Sequence, residues 1–143
     1  MHRHPPKVGF SLLSQEEVRF IEALADTHFP PGNALGVSGG DVGIAKGVDQ
    51  RLGGMGPEEQ TILRSLLALI DRWPQINLSG LRRFSELSLD KRIHLLKYWE
   101  DSHSDAKRGL AELLRTVVSL HYFEDPRVLA AMGLQFGCPE IPL

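Results

Sequence analysis

Pro57-Glu58-Glu59-Gln60-Thr61-Ile62-Leu63-Arg64-Ser65-Leu66-Leu67-Ala68-Leu69-Ile70-Asp71-Arg72-Trp73 is the stretch whose reading decides the fold. Apolar side chains at Ile62, Leu63, Leu66, Leu67, Ile70 and Trp73 recur at the three- and four-residue spacing of a helix and cover a wide face. Pro57 suits the first helical position, where a missing N–H is no loss. Glu58 and Glu59 put negative charge at the positive end of the helix dipole. Pro74 sets the expected limit, because a proline ring obstructs the preceding turn. So broad an apolar face predicts a central, heavily buried helix.

Toward the N-terminus, residues 32–56 hold nine of the fourteen glycines. Gly clusters of this kind read as a flexible connector. One short helix is expected within it, from Asp41 to Leu52, carrying Val42, Ala45, Val48 and Leu52 and ended by Gly53-Gly54. Before it, Ser14-Gln15-Glu16-Glu17 has the pattern of a capping box. Val18, Ile21, Leu24, Ala25 and His28 follow at helical spacing until Pro30-Pro31-Gly32 ends the helix. Residues 1–13 read as an extended arm.

Toward the C-terminus, a turn around Leu81 and Phe84 leads to Ser88, a cap. Leu89, Ile93, Leu96 and Trp99 then mark a helix to about Glu100. Asp101 to Asp105 is a polar break. Leu110, Leu113, Leu114, Val117 and Leu120 predict a long helix from Asp105 to Phe123. Asp125 caps a last short helix, with Pro126 at its first position and Gly133 just past its end. Residues 134–143 form an irregular tail with two prolines. No run alternates as a strand would, and no period repeats. The expectation is one all-α domain over residues 1–143, an irregular bundle of five to six helices with extended N- and C-terminal arms.

At 143 residues a domain buries roughly two thirds of its unfolded surface and needs no staple. Sixteen Lys and Arg against eighteen Asp and Glu leave no basic surplus to neutralise phosphates, which argues against nucleic acid as a partner. No stretch approaches the about 18 apolar residues of a membrane span. One cysteine, Cys138, cannot form an intrachain disulfide. No secretory pattern opens the chain, so a cytoplasmic location is expected.

Candidate chemistry fails motif by motif. Gly36-Val37-Ser38-Gly39-Gly40-Asp41-Val42-Gly43 matches neither phosphate-binding fingerprint and follows no strand. Glu100-x-x-His103 is one Glu-x-x-His element, whereas a di-iron bundle needs two such elements and two more inward Glu. His121, Glu124 and Asp125 form a second local cluster, but Asp125 is better explained as a cap. Glu100, His103, His121 and Glu124 remain the ligand set of an alternative reading, a stand-alone helical metal-binding protein. Cys138, between Gly137 and Pro139, has no nearby base to activate it. No catalytic, cofactor or metal residue is assigned.

The aromatic pairs Tyr98-Trp99 and Tyr122-Phe123 place neighbours about 100° apart on a helix. One member of each pair is expected in the core and the other at least partly exposed. Aromatics are enriched at interfaces, so Tyr98, Trp99, Tyr122, Phe123 and Pro126 are the candidate partner-contact residues. A helical adaptor for an unrelated partner is a further alternative.

Four stretches taken in order carry a resemblance. They are Leu24-Ala25-Asp26-Thr27-His28-Phe29-Pro30; Gly43 through Leu52, with Val48-Asp49-Gln50-Arg51-Leu52; Phe84-Ser85-Glu86-Leu87-Ser88-Leu89-Asp90-Lys91-Arg92, running on to Tyr98-Trp99; and Tyr122-Phe123-Glu124-Asp125-Pro126 with Gly133. Over about residues 14–137 the chain resembles the gluconate 2-dehydrogenase subunit 3 family, small subunits of membrane-linked, flavin-dependent dehydrogenases. The resemblance implies a non-catalytic accessory subunit beside a large FAD-containing oxidoreductase of the glucose-methanol-choline type, and it allows a cytochrome subunit as a further partner. FAD and the catalytic residues are then expected in the large chain. Unlike many relatives, this sequence shows no twin-arginine export signal and no second cysteine, which points to a cytoplasmic or cytoplasm-facing complex.

Overall fold

The capping box at Ser14 forms as its pattern requires. Glu17 N–H donates to Ser14 Oγ at 3.3 Å, and Ser14 N–H donates to Glu17 Oε1 at 3.1 Å. It opens α1 (Gln15–His28). The computed structural model describes residues 4–77 and 82–133. The readings of Leu81, Cys138 and the tail 134–143 lie outside the described residues. After α1 come α2 (Ile44–Gly53), α3 (Pro57–Asn77), α4 (Leu89–Glu100), α5 (Asp105–Tyr122) and α6 (Pro126–Ala131), with 3₁₀ turns at Gly39–Asp41 and Phe84–Glu86. Six α-helices and no strand among the described residues make the fold all-α.

The remaining caps follow local chemistry. Ser88 accepts from Lys91 N–H, Ser104 from Lys107 N–H, and Asp125 from Arg127 N–H, each satisfying an orphan first-turn donor. Gly133 adopts φ 78°, the left-handed value that suits a residue just past a helix end.

The central helix is α1, not α3. Val18, Phe20, Ile21, Ala23, Leu24, Ala25 and Thr27 are all buried. They surround most of the helix circumference, and α1 packs against α2, α3, α4, α5 and both 3₁₀ turns. Ala23 and Ala25 allow the close approach that large residues would prevent. In α3 only part of the apolar face is covered: Leu67 and Ile70 are buried while Ile62 and Leu69 are exposed. Nor does α3 stop at Pro74. The ring is buried and the helix runs on to Asn77. A proline is disfavoured inside a helix for its missing donor and its clash, and burial of its ring offsets part of that cost.

α3 is joined to α1 by a half-hidden ion pair. Arg64 donates Nε to Glu17 Oε2 at 2.9 Å and Nη2 to Glu17 Oε1 at 2.6 Å. Burial alone would raise the Glu17 pKa, but the Arg64 bonds and the Ser14 amide outweigh it and hold it below the usual range.

Residues 4–13 lie outside the helices but are not a free arm. Pro6 bridges to Ser14, Lys7 N–H donates to Leu13 C=O, and Leu13 is fully buried. The Gly-rich region, read as flexible, is likewise tied down. Gly39 N–H donates to Phe29 C=O at 2.7 Å, Gly40 N–H to Asp26 Oδ1 at 2.7 Å, and Tyr122 Oη to Val37 C=O at 2.7 Å. Asn33 Nδ2 spans the Pro30 and Val37 carbonyls.

Gly39 is small because the backbone of α1 lies against it. A Cβ there would stand 2.1 Å from the Ala25 carbonyl oxygen. Gly39→Ala should therefore lower stability by about 2 kcal/mol, the cost of forcing packed backbone apart. Gly53→Ala, whose Cβ meets nothing within 4 Å, should be neutral or slightly stabilising. Urea unfolding of the two variants side by side checks this. Equal midpoints would remove the close-approach explanation.

Candidate partner-docking surface

Helices α3 and α5 carry more apolar surface than the core covers. On α5, Ala111, Leu114, Val118, His121 and Tyr122 face inward. Leu110, Leu113, Val117 and Leu120 continue the apolar arc round one flank. On α3, Leu63 and Leu66 continue it beyond Leu67 and Ile70. Between the two flanks lies a small apolar cavity of about 30 Å³, lined also by Ile21 and Leu24 of α1 and by Ile44 and Val48 of α2. Leu63, Leu66 and Leu67 form one wall; Leu113, Leu114, Val117 and Val118 form the other. Every lining residue is Ile, Leu or Val.

Exposed apolar side chains surround the cavity, Leu113 among them also lining it. Ile62 is 68%, Leu69 49%, Leu113 42% and Leu120 47% exposed. Ile62 and Leu69 lie four residues before and three after Leu66, on the same helix face, and Leu120 lies three after Val117. Single exposed apolar residues mean little; a contiguous set around an apolar cavity marks an interaction surface.

The helices run antiparallel. Lys107, in the first turn of α5, stands 5.9 Å from the Trp73 ring near the end of α3 and 5.6 Å from the Tyr98 ring of α4. Glu58 and Glu59, in the first turn of α3, are exposed.

The five aromatic and proline candidates do not form one surface. Trp99 is buried, edge-on to Trp73 with centroids 5.7 Å apart. Tyr122 is fully buried and stacked on Phe29 with centroids 3.7 Å apart. Each sits on the inward side of its helix, so neither is available to a partner in the folded chain. Tyr98, Phe123 and Pro126 are exposed, as expected for one member of each pair. Tyr98 stands by the start of α5 and Phe123 just past its end, separated by the roughly 27 Å of an 18-residue helix. The signal for the cavity was present in the apolar width of α3 and α5. That width reads as deep burial when the neighbours are not known.

The four proposed metal ligands are also kept apart. Glu100 pairs with Arg115, and His103 is exposed in the α4–α5 turn. His121 and Glu124 sit at the other end of α5. There Arg51 donates Nε to His121 Nε2 at 3.1 Å and Nη2 to Glu124 Oε1 at 3.1 Å. His121 Nδ1 lies 2.8 Å from the Val117 carbonyl. With Nδ1–H donating there, Nε2 is left to accept from Arg51. No group of three His, Cys, Asp or Glu placed to hold a metal ion occurs among the described residues. No helix among them is long and apolar enough to cross a membrane.

The chain also matches a known family. The family model described as gluconate 2-dehydrogenase subunit 3 matches residues 15–136. No curated protein and no solved structure gives a match.

Proposed function

The chain belongs to the gluconate 2-dehydrogenase subunit 3 family, and from that membership we propose that it binds a large FAD-dependent oxidoreductase of the glucose-methanol-choline type and stabilises it or helps it mature. The observation that carries this reading is the span of the match. It begins at Gln15, the first residue of α1, and runs past Ala131, the last of α6, so it takes in every helix described. Exposed apolar side chains at Ile62, Leu69, Leu113 and Leu120 suit a protein that works by docking.

On this reading FAD and the reacting residues belong to the large chain. The test is expression of a large flavoprotein of that type from the same source, with and without this chain. Without this chain, the yield of soluble, flavin-loaded dehydrogenase should fall severalfold. Equal yield, flavin content and activity would end the proposal.

A further inference from the structure

We infer, independently of the accessory-subunit reading, that the outward face of α3 pairs with the same face of a second copy of this chain, the two helices lying antiparallel about a two-fold axis beside Ser65. Glu58, Ile62, Ser65, Leu69 and Arg72 follow one another at alternating spacings of four and three, and all five are exposed. At about 100° per residue they fall within an arc of about 80°, turned away from the buried Leu67 and Ile70. A helix meets a globular core with a wide face and a single partner helix with a narrow seam of this spacing. α3 carries both. Its wide face packs on α1 and on the 3₁₀ turn at Phe84–Glu86, and its seam stays in solvent.

The order of residues along the seam selects the occupant. From either end it runs charged, apolar, small, apolar, charged, with opposite signs at the two ends. An antiparallel copy with its Ser65 beside Ser65 sets Ile62 opposite Leu69 and Glu58 opposite Arg72, and the two-fold makes each contact twice. Ser65 is short, so the helices can approach closely where they cross. A parallel copy sets Glu58 against Glu58 and Arg72 against Arg72, and like charges oppose that direction. Glu58 and Arg72 belong to no ion pair within the chain among the described residues. Arg72 acts on Glu16 only through its field, since Glu16 is bonded to Arg83. An unrelated partner must supply the reversed charge order itself, whereas a second copy has it by symmetry.

The seam also sets the strength. From Glu58 to Arg72 it is about 21 Å long. One helix pair of that length buries less than the roughly 1,200 Å² of a stable interface, so dissociation in the micromolar range is expected.

Sedimentation of the isolated full chain, from micromolar to millimolar concentration, tests the pairing. Wild type should show a monomer–dimer equilibrium that weakens with salt. Leu69→Asp changes a side chain that is 49% exposed, so circular dichroism should not change. Its dissociation constant should rise roughly tenfold or more. Arg72→Glu puts like charges at both ends of the seam and should raise the constant by roughly tenfold. Adding Glu58→Lys to that chain restores opposite charges and should recover most of the loss, which a purely structural role of Arg72 in the monomer cannot produce. In a Cys138→Ser background, chains carrying Ile62→Cys and chains carrying Leu69→Cys should cross-link to each other faster than either does to itself.

A chain that is monomeric throughout the range overturns the inference. So does a dimer that Leu69→Asp and Arg72→Glu leave intact, because its contact lies on another face. Cys variants that cross-link faster to themselves overturn the antiparallel direction. A double charge variant no better than Arg72→Glu overturns the pairing of Glu58 with Arg72. A monomeric wild type whose binding to the large flavoprotein is lost in Leu69→Asp makes that subunit the occupant, which overturns the inference and leaves the accessory reading standing.

Discussion

Tyr122→Ala should lower the stability of this chain by about 4 kcal/mol, in the range for removing a buried aromatic ring, and its melting temperature by roughly 10–15 °C. The ring has no exposed surface. It lies flat on Phe29, tilted by 5°, and meets Phe123 edge-on with centroids 5.2 Å apart. Its hydroxyl donates to the Val37 carbonyl and so ties the end of α5 to the Gly-rich region 85 residues earlier in the chain. Burial pushes the phenol pKa up, which keeps the group a donor at any ordinary pH. Tyr122→Phe should cost about 1 kcal/mol, the loss of one hydrogen bond with the ring kept. Phe123→Ala should cost less than Tyr122→Ala, because the Phe123 ring is partly exposed. Denaturant unfolding of the three variants gives the order directly. A Tyr122→Ala protein within 1 kcal/mol of the wild type would show that the ring is not part of the core. Loss of a partner in that variant reports unfolding rather than a lost contact.

The sequence is most legible where the structure is local. The Ser14, Ser88 and Asp125 caps each act within three residues, and the helices they open begin where their patterns place them. It is less legible where distant parts of the chain decide. Pro74 ends a helix by local rules, yet its ring is buried and the helix continues. The apolar width of α3 gave its amphipathic character but not its depth. Depth depends on whether another helix covers the second flank, and α5 stands off across the cavity. Among the aromatics, helical geometry separated neighbours by a fixed angle. Which neighbour is core was set by Trp73 for Trp99 and by Phe29 for Tyr122. The glycines of residues 32–56 suggested freedom, whereas Gly39 is there because the Ala25 carbonyl allows nothing larger.

Asp49→Ala should destabilise the chain by about 3–4 kcal/mol, because one carboxylate holds three backbone amides. Asp49 Oδ2 accepts from Ser11 N–H at 2.8 Å, and Oδ1 accepts from Leu12 and Leu13 N–H at 2.9 Å each. The bond to Leu13 is buried. Bonds to an ionised acceptor contribute about 1.5–3 kcal/mol each and are not additive. With the acceptor gone, Leu13 loses its anchor, and residues 4–13 should become sensitive to proteolysis. Asp49→Asn keeps one acceptor oxygen but turns an amide donor toward a second donor, so its cost should be smaller.

The charge can be tested separately by pH. Burial alone would raise the Asp49 pKa; the three amides, with Lys46 nearby, outweigh it and hold it below the usual range. A folded pKa below the unfolded one gives stability that is fully present above the unfolded value and is lost as pH falls through the folded one. The gap between wild type and Asp49→Asn should therefore be constant near neutrality and shrink in the acid range below about pH 4. Asp71 shifts the other way. Burial raises its pKa despite the Ser85 amide, so protonation of Asp71 favours the folded chain as pH falls. That contribution is common to both proteins and cancels in the difference. A wild-type-to-Asn gap that stays the same from pH 7 to pH 3 would mean the amides need only an oxygen there. A closing gap would show that the negative charge itself fastens the segment before α1 to α2.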